Sequence, residues 1–177
     1  MLINKASRSG AEFPLEECCL KLQAAGLVVT VEDSRDWPPD SVRTIEHFGA
    51  HDLVIIAGGD GSINRFLEPV IASGSLLAVI PTGTANDFAR GLMLTFDPLT
   101  AIDEILDGKE MRVDTAAING KAFINVAHLG FGTRITQQLT PELKKRFGVF
   151  SYLKAFFQAL SHLRRYRVSV TADSKTY

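Results

Sequence analysis

The chain has 177 residues, 46% hydrophobic and 22% charged, enough for one globular domain or one and a part. A net charge of −1 offers no field for a phosphate backbone and argues against nucleic acid as a partner. No apolar run reaches the roughly 20 residues that span a bilayer, and Met1-Leu2-Ile3-Asn4-Lys5 lacks a signal-peptide core, so the expected location is the cytoplasm, with any membrane contact peripheral, at the inner face.

Leu2-Ile3 reads as the stub of a first strand, followed by a polar loop over 4–10. A helix is predicted over 14–25, with Gly26 as its stop. The adjacent Cys18 and Cys19 fall on its Leu15–Leu22 stripe. Neighbouring cysteines rarely bridge each other and show no zinc spacing, so they read as small core hydrophobes in a reducing compartment. A second strand is expected over 27–31, then a loop with Trp37-Pro38-Pro39 and a short helix over 41–48.

Five apolar residues at 53–57 suit a strand buried on both faces, and the turn Gly58-Gly59-Asp60-Gly61 ends it. Ser62 then opens a helix over 62–72, with Ile63, Phe66, Leu67, Val70 and Ile71 at helical spacing. Ser73-Gly74-Ser75 breaks that helix, and 76–80 is a second apolar strand. It runs into another glycine loop, Pro81-Thr82-Gly83-Thr84-Ala85-Asn86-Asp87, and a helix containing Phe88, Ala89 and Leu92. Asp97-Pro98 caps the next helix and Gly108 ends it.

This alternation predicts an α/β fold with a mostly parallel sheet covered by helices. Strand, helix and strand over 53–80 form a right-handed crossover, so both glycine loops leave the same carboxyl edge, where such sheets bind ligands. Glycines admit a phosphate close to the backbone, and a helix start offers unpaired N–H groups and a positive dipole end. Asp60 would repel a bare phosphate. It fits if a divalent cation lies between carboxylate and phosphate.

After Arg112 the pattern changes. Residues 114–118, Asn119-Gly120 and 121–126 read as a hairpin with a tight primed turn. A Gly130-Phe131-Gly132 loop, helices over 141–147 and 149–166, and a strand starting at Val168 follow. The domains are expected at 1–111, nucleotide-binding, and 112–177, an incomplete second domain whose few strands leave open edges.

Together, Gly58-Gly59-Asp60-Gly61-Ser62-Ile63-Asn64 and Pro81-Thr82-Gly83-Thr84-Ala85-Asn86-Asp87-Phe88-Ala89-Arg90 resemble the diacylglycerol kinase catalytic family, in its bacterial soluble lipid kinase form. The first segment also occurs in the related NAD kinases and phosphofructokinases; the second, ending in Asn-Asp-Phe-Ala-Arg, separates the lipid kinases from both. Arg112-Val113-Asp114, Phe123-Ile124-Asn125-Val126-Ala127 and Leu143-Lys144-Lys145-Arg146-Phe147-Gly148 follow the same pattern. One departure is that Asn4 precedes Lys5 where the family usually has Asn-Pro.

The resemblance implies an NAD kinase/diacylglycerol kinase-like nucleotide domain and the start of a C-terminal β-sandwich. It implies transfer of the ATP γ-phosphate to a lipid hydroxyl at the membrane surface, with Mg2+ as cofactor. Nucleotide contacts carry over onto Thr30, onto Gly58, Gly59, Asp60, Gly61, Ser62, Ile63 and Asn64, and onto Thr84. Acids near magnesium carry over onto Asp60, Asp87 and Asp114. The general base is expected beyond Tyr177, so the alternative is a truncated nucleotide-binding module without kinase activity of its own. A homodimer is compatible with this reading.

Each residue also has a plainer reading. Three glycines in four residues exceed what a strand-to-helix turn needs, which favours the phosphate role. Asp60 could merely cap its helix, and so could Ser62. Gly83 and Thr84 offer a second phosphate or ribose contact. Asp87 could be only a first-turn acid favoured by the dipole. His47, His51, His128 and His162 show no ligand spacing and read as surface residues. The basic and aromatic residues between Lys144 and Arg167 suit either a helix with a solvated basic face or a membrane-facing patch.

Overall fold

The structure is a computed structural model and describes residues 1–3, 12–36, 49, 52–108, 110–127, 169, 171–172 and 175–176. The loop over 4–10, the Trp37 loop, the helices expected over 41–48, 141–147 and 149–166, the Gly130-Phe131-Gly132 loop, the four histidines and the basic, aromatic stretch all lie outside the described residues.

The first compact unit, Met1–Val126, is built on a parallel four-stranded sheet. Its strands are β1 (Leu2–Ile3), β2 (Glu32–Asp33), β3 (Leu53–Gly58) and β4 (Leu76–Pro81), in the order β2-β1-β3-β4. β3 and β4 pair along their whole length, from Leu53 opposite Leu76 to Gly58 opposite Pro81. The α/β class and parallel sheet expected from the alternation are therefore present.

The apolar run in β3 serves two faces, because successive side chains point to opposite sides. Val54 and Ile56 pack with Ile63, Phe66, Leu67 and Val70 of helix α2 (Asp60–Ser73). Ile55 and Ala57 face the other way, onto Cys18 and Leu22 of helix α1 (Leu15–Ala24) and Ala101 and Ile102 of helix α4 (Pro98–Asp107). Helix α3 (Asp87–Gly91) follows β4 after the loop over 82–86. No helix among the described residues is long and apolar enough to cross a membrane.

Cys18 is fully buried, and burial pushes its thiol up to about 11, which leaves it an inert core residue. Across the α1–α4 contact the Lys21 ammonium meets the Asp103 carboxylate at 2.6 Å. Both side chains are substantially exposed, so the pair adds little. Asp97 caps α4 as the sequence predicts: its Oδ2 accepts from the Thr100 amide at 2.8 Å and the Thr100 hydroxyl at 2.7 Å. Those bonds hold the Asp97 carboxyl below its ordinary value.

Several boundaries differ from the sequence reading, among them the end of α3, which stops at Gly91 and leaves Leu92 as its C-cap, and two need a physical account. The second strand is not at 27–31 but at Glu32–Asp33. Gly26, at φ 87°, ends α1 with a double turn in which the Gly26 amide reaches the Gln23 carbonyl and the Leu27 amide reaches Leu22. Leu27 is thereby held by the helix end. β1 pairs only through Leu2 and Ile3, with Glu32 and Asp33, so the ladder starts at Glu32. The second difference is α2, which starts at Asp60 rather than Ser62, with Gly59 as its N-cap.

The hairpin forms with the predicted turn but with shorter strands than the expected 114–118 and 121–126. β5 (Ala116–Ile118) and β6 (Lys121–Phe123) are antiparallel, and Asn119 and Gly120 both take positive φ, 49° and 79°. Ile124, just beyond it, is buried in the cluster around α2. The first unit thus runs through the hairpin to Val126. In the second unit, Ala127–Tyr177, the described strands β7 (Thr171–Ala172) and β8 (Lys175–Thr176) form an antiparallel pair.

Phe66 is 1% exposed at the centre of the α2 layer, so Phe66→Ala should cost about 3–5 kcal/mol in urea unfolding. A loss under about 1 kcal/mol would mean the layer collapses around the cavity. The Asp97 cap gives a pH prediction. A depressed carboxyl contributes stability above its unfolded value and loses it as pH falls. Asp97→Asn keeps an acceptor that does not titrate, so its unfolding midpoint should fall less than the wild type's between roughly pH 5 and pH 3. Parallel acid profiles for the two proteins would discount the cap.

Candidate functional site

β3 and β4 are parallel neighbours, so the loops that follow them emerge side by side. The Thr82 amide still bonds the Gly58 carbonyl at 3.1 Å, which carries the pairing into the loops. There the backbones touch. A Cβ on Gly59 would lie 3.0 Å from the Gly83 Cα, and a Cβ on Gly83 would lie 2.5 Å from the Gly59 Cα. Gly58 has a third reason to be glycine: a Cβ there would stand 2.6 Å from the Ser62 side chain. Gly61 differs, because a Cβ on it meets nothing within 4 Å. It is exposed in the first turn of α2, where the leading N–H groups have no intrahelical acceptor.

Asn86 shapes the second loop. It is 4% exposed and takes the left-handed conformation, φ 52°, that Asn tolerates. Its Oδ1 accepts from the Gly83 amide at 2.9 Å and its Nδ2 donates to the Gly83 carbonyl at 2.8 Å. The side chain thus closes the loop on itself and sets where α3 begins.

Asp60 spans the two loops. Its Oδ2 accepts from the Asp87 amide at 3.0 Å and its Oδ1 from the Phe88 amide at 2.9 Å. The carboxylate therefore satisfies the N-terminus of α3, not that of its own helix, whose N-cap is Gly59. The Asn125 amide also donates to Oδ1, at 3.0 Å.

The other predicted residues divide. Gly58, Gly59, Asp60, Gly61, Gly83 and Asp87 are brought together at this edge, and Thr84 is exposed in the same loop as Gly83. Ser62 is the third residue of α2 and does not cap it, which corrects the capping reading. Ile63 is 1% exposed in the core and its amide donates to the Gly59 carbonyl at 3.1 Å, so neither its side chain nor its N–H is offered to a ligand. The Asn64 Oδ1 accepts from the Ile124 amide at 2.9 Å. Thr30 is exposed two residues before Glu32, which is level with Leu2 and hence Ile56, so it stays on the amino side of the sheet, away from the loops. The hydroxyl residue that β2 carries to the carboxyl edge is the buried Ser34, its amide bonded to the Ile3 carbonyl.

Asp60, Asp87 and Asp114 do not form one ligand set. Asp114 is exposed ahead of β5, and among the described residues no three His, Cys, Asp or Glu side chains gather.

The sequence profile of the diacylglycerol kinase catalytic domain matches residues 1–118. The chain belongs to the diacylglycerol kinase catalytic domain family. A diacylglycerol kinase of Staphylococcus saprophyticus is 31% identical over 168 residues, covering 92% of this chain and 54% of the relative. One of Bacillus subtilis is 36% identical over 129 residues, covering 71% of this chain and 43% of the relative. This diacylglycerol kinase family chain thus spans about half the length of the curated relatives it matches. The fold also matches the solved structure of a Bacillus anthracis protein described as a diacylglycerol kinase, with a TM-score of 0.64 at 22% identity, over 99% of this chain and 60% of that one.

The glycines separate packing from binding. Gly83→Ala should cost about 1–3 kcal/mol in urea unfolding, because the Gly59 backbone must move. Gly61→Ala should leave stability unchanged or raised by about 0.5–1 kcal/mol, while weakening ATP binding in calorimetry. Undiminished ATP affinity in the Gly61 variant would remove that glycine as a candidate phosphate contact.

Proposed function

We propose that the chain carries the nucleotide half of an ATP-dependent lipid kinase that phosphorylates a hydroxyl of the diacylglycerol class. One observation carries the reading. Two glycine loops of different sequence meet at one sheet edge, bridged by a carboxylate, beside a helix start with open space over Gly61. Phosphoryl transfer needs alignment and charge stabilisation more than covalent chemistry from the protein, and these elements supply both.

In this reading the first-turn N–H groups of α2 at Asp60 and Gly61 hold phosphate oxygens, aided by the dipole. Gly83 and Thr84 bound the nucleotide from the second loop. Asp60, with one acceptor position still open on Oδ2, takes a single bond from the ligand side. A magnesium ion carried with ATP would neutralise charge on the transferring group, with Asp60 and Asp87 the acids nearest to hand. Thr30, on the amino side of the sheet, and Asp114, exposed ahead of β5, have no part in this reading. The lipid acceptor implies peripheral work at the cytoplasmic membrane face.

The test uses the whole chain. ATP binding is measured by calorimetry, and transfer of labelled phosphate to diacylglycerol in mixed micelles is followed on the same sample. Asp60→Asn should cut turnover about 100-fold or more. It should also lower the melting temperature, because the α3 amides lose a charged acceptor. Binding without transfer would mark the chain as a nucleotide-binding module, and absence of ATP binding would defeat the proposal.

A further inference from the structure

We propose that Asn125 is a positioning residue that fixes the plane of the Asp60 carboxylate at the loop junction. This rests on the phosphoryl-transfer reading of the site. Asp60 takes two donors, the Asp87 and Phe88 amides, from one short stretch of α3. Those two donors and the Asp60 Cβ restrain the carboxylate from α2 and α3 only. The third, the Asn125 Nδ2 at 3.0 Å, comes from a separate element and defines the plane. A carboxylate offers about four acceptor positions. With Oδ1 accepting two bonds and Oδ2 one, the position left for a ligand is on Oδ2, and its direction depends on Asn125.

Asn125 is itself held from α2. Asp60, Asn64 and Glu68 stand four residues apart and line one stripe of that helix. The Glu68 carboxylate accepts from the Ala122 amide at 3.0 Å, and the Asn64 carbonyl oxygen from the Ile124 amide at 2.9 Å. Asp60 takes the last rung, from the Asn125 side chain. At that residue the chain turns into the left-handed region, φ 68°, which aims the amide back along the helix instead of continuing the strand. The helix that carries Asp60 thus also positions the group that orients it.

The φ of Asn125 makes the cleanest variant Asn125→Gly, which suits that backbone and deletes only the amide. Asn125→Asp keeps the shape and sets a second carboxylate against the first. Glu68→Ala is the control, since it loosens the lower rung of the same strand without touching Asp60. Exchange of the Asp87 and Phe88 amides is followed by NMR, and Mg·ATP affinity by calorimetry, on the full chain. Asn125→Gly should speed both exchanges and weaken ATP each by about tenfold, with the melting temperature close to wild type. Asn125→Asp should be worse in both readouts. Glu68→Ala should lower the melting temperature and leave both unchanged. Unaltered exchange in Asn125→Gly, or equal effects from Glu68→Ala, would reduce Asn125 to a fastening and overturn the proposal. If the wild type takes up no ATP, the kinase reading falls, and the amide exchange still decides the role of Asn125.

Discussion

The carboxylate of Asp60 is the junction on which the site depends. It stands in the first turn of one helix and satisfies the first amides of another. Those amides would otherwise have no intrahelical acceptor, and Asp60 would otherwise be an anion beside its own helix start alone. One charged group thus locks the loop after β3 to the loop after β4. A charge-assisted bond of this kind is worth about 1.5–3 kcal/mol where its partners are shielded, enough to hold the geometry of a short helix that could not persist alone.

That junction exists because the sheet is parallel and its central strand is apolar on both sides. Val54 and Ile56 bury one helical layer and Ile55 and Ala57 the other, so β3 cannot slip by one residue without reversing both faces. With the register of β3 on β4 fixed, Gly58 stands opposite Pro81 and the two loops leave level with each other. The helices on either face then direct any ligand to the carboxyl edge. Specificity of packing at the core becomes specificity of placement at the rim.

Much of this was legible in the residues. The apolar runs at 53–57 and 76–80 announced the strands, Asp97-Pro98 the cap of α4, and Asn119-Gly120 the hairpin turn, because each depends on local backbone chemistry. The first glycine of the family motif was legible as a glycine but not for its reason. Gly59 and Gly83 answer to backbone distant in sequence and Gly58 to the Ser62 side chain, and of the four only Gly61 has open space where a Cβ would stand. The bonds joining Asp60 to α3 and to Asn125 were hidden because they cross 27 to 65 residues of chain. The strand expected at 27–31 failed because a run of valines encodes a preference for extended backbone, whereas the ladder needs a neighbour to pair with.

The contact between Gly59 and Gly83 has an outcome for how this edge can vary. A crowded pair of side chains can usually be relieved by making one of them smaller. Here both members are already the smallest residue there is, so growth at one has no counter-change at the other that restores the fit. Substitutions that keep this edge intact in the present chain are therefore confined to the flanking positions, such as the exposed Thr84 and Ala85, while the two touching backbones stay as they are.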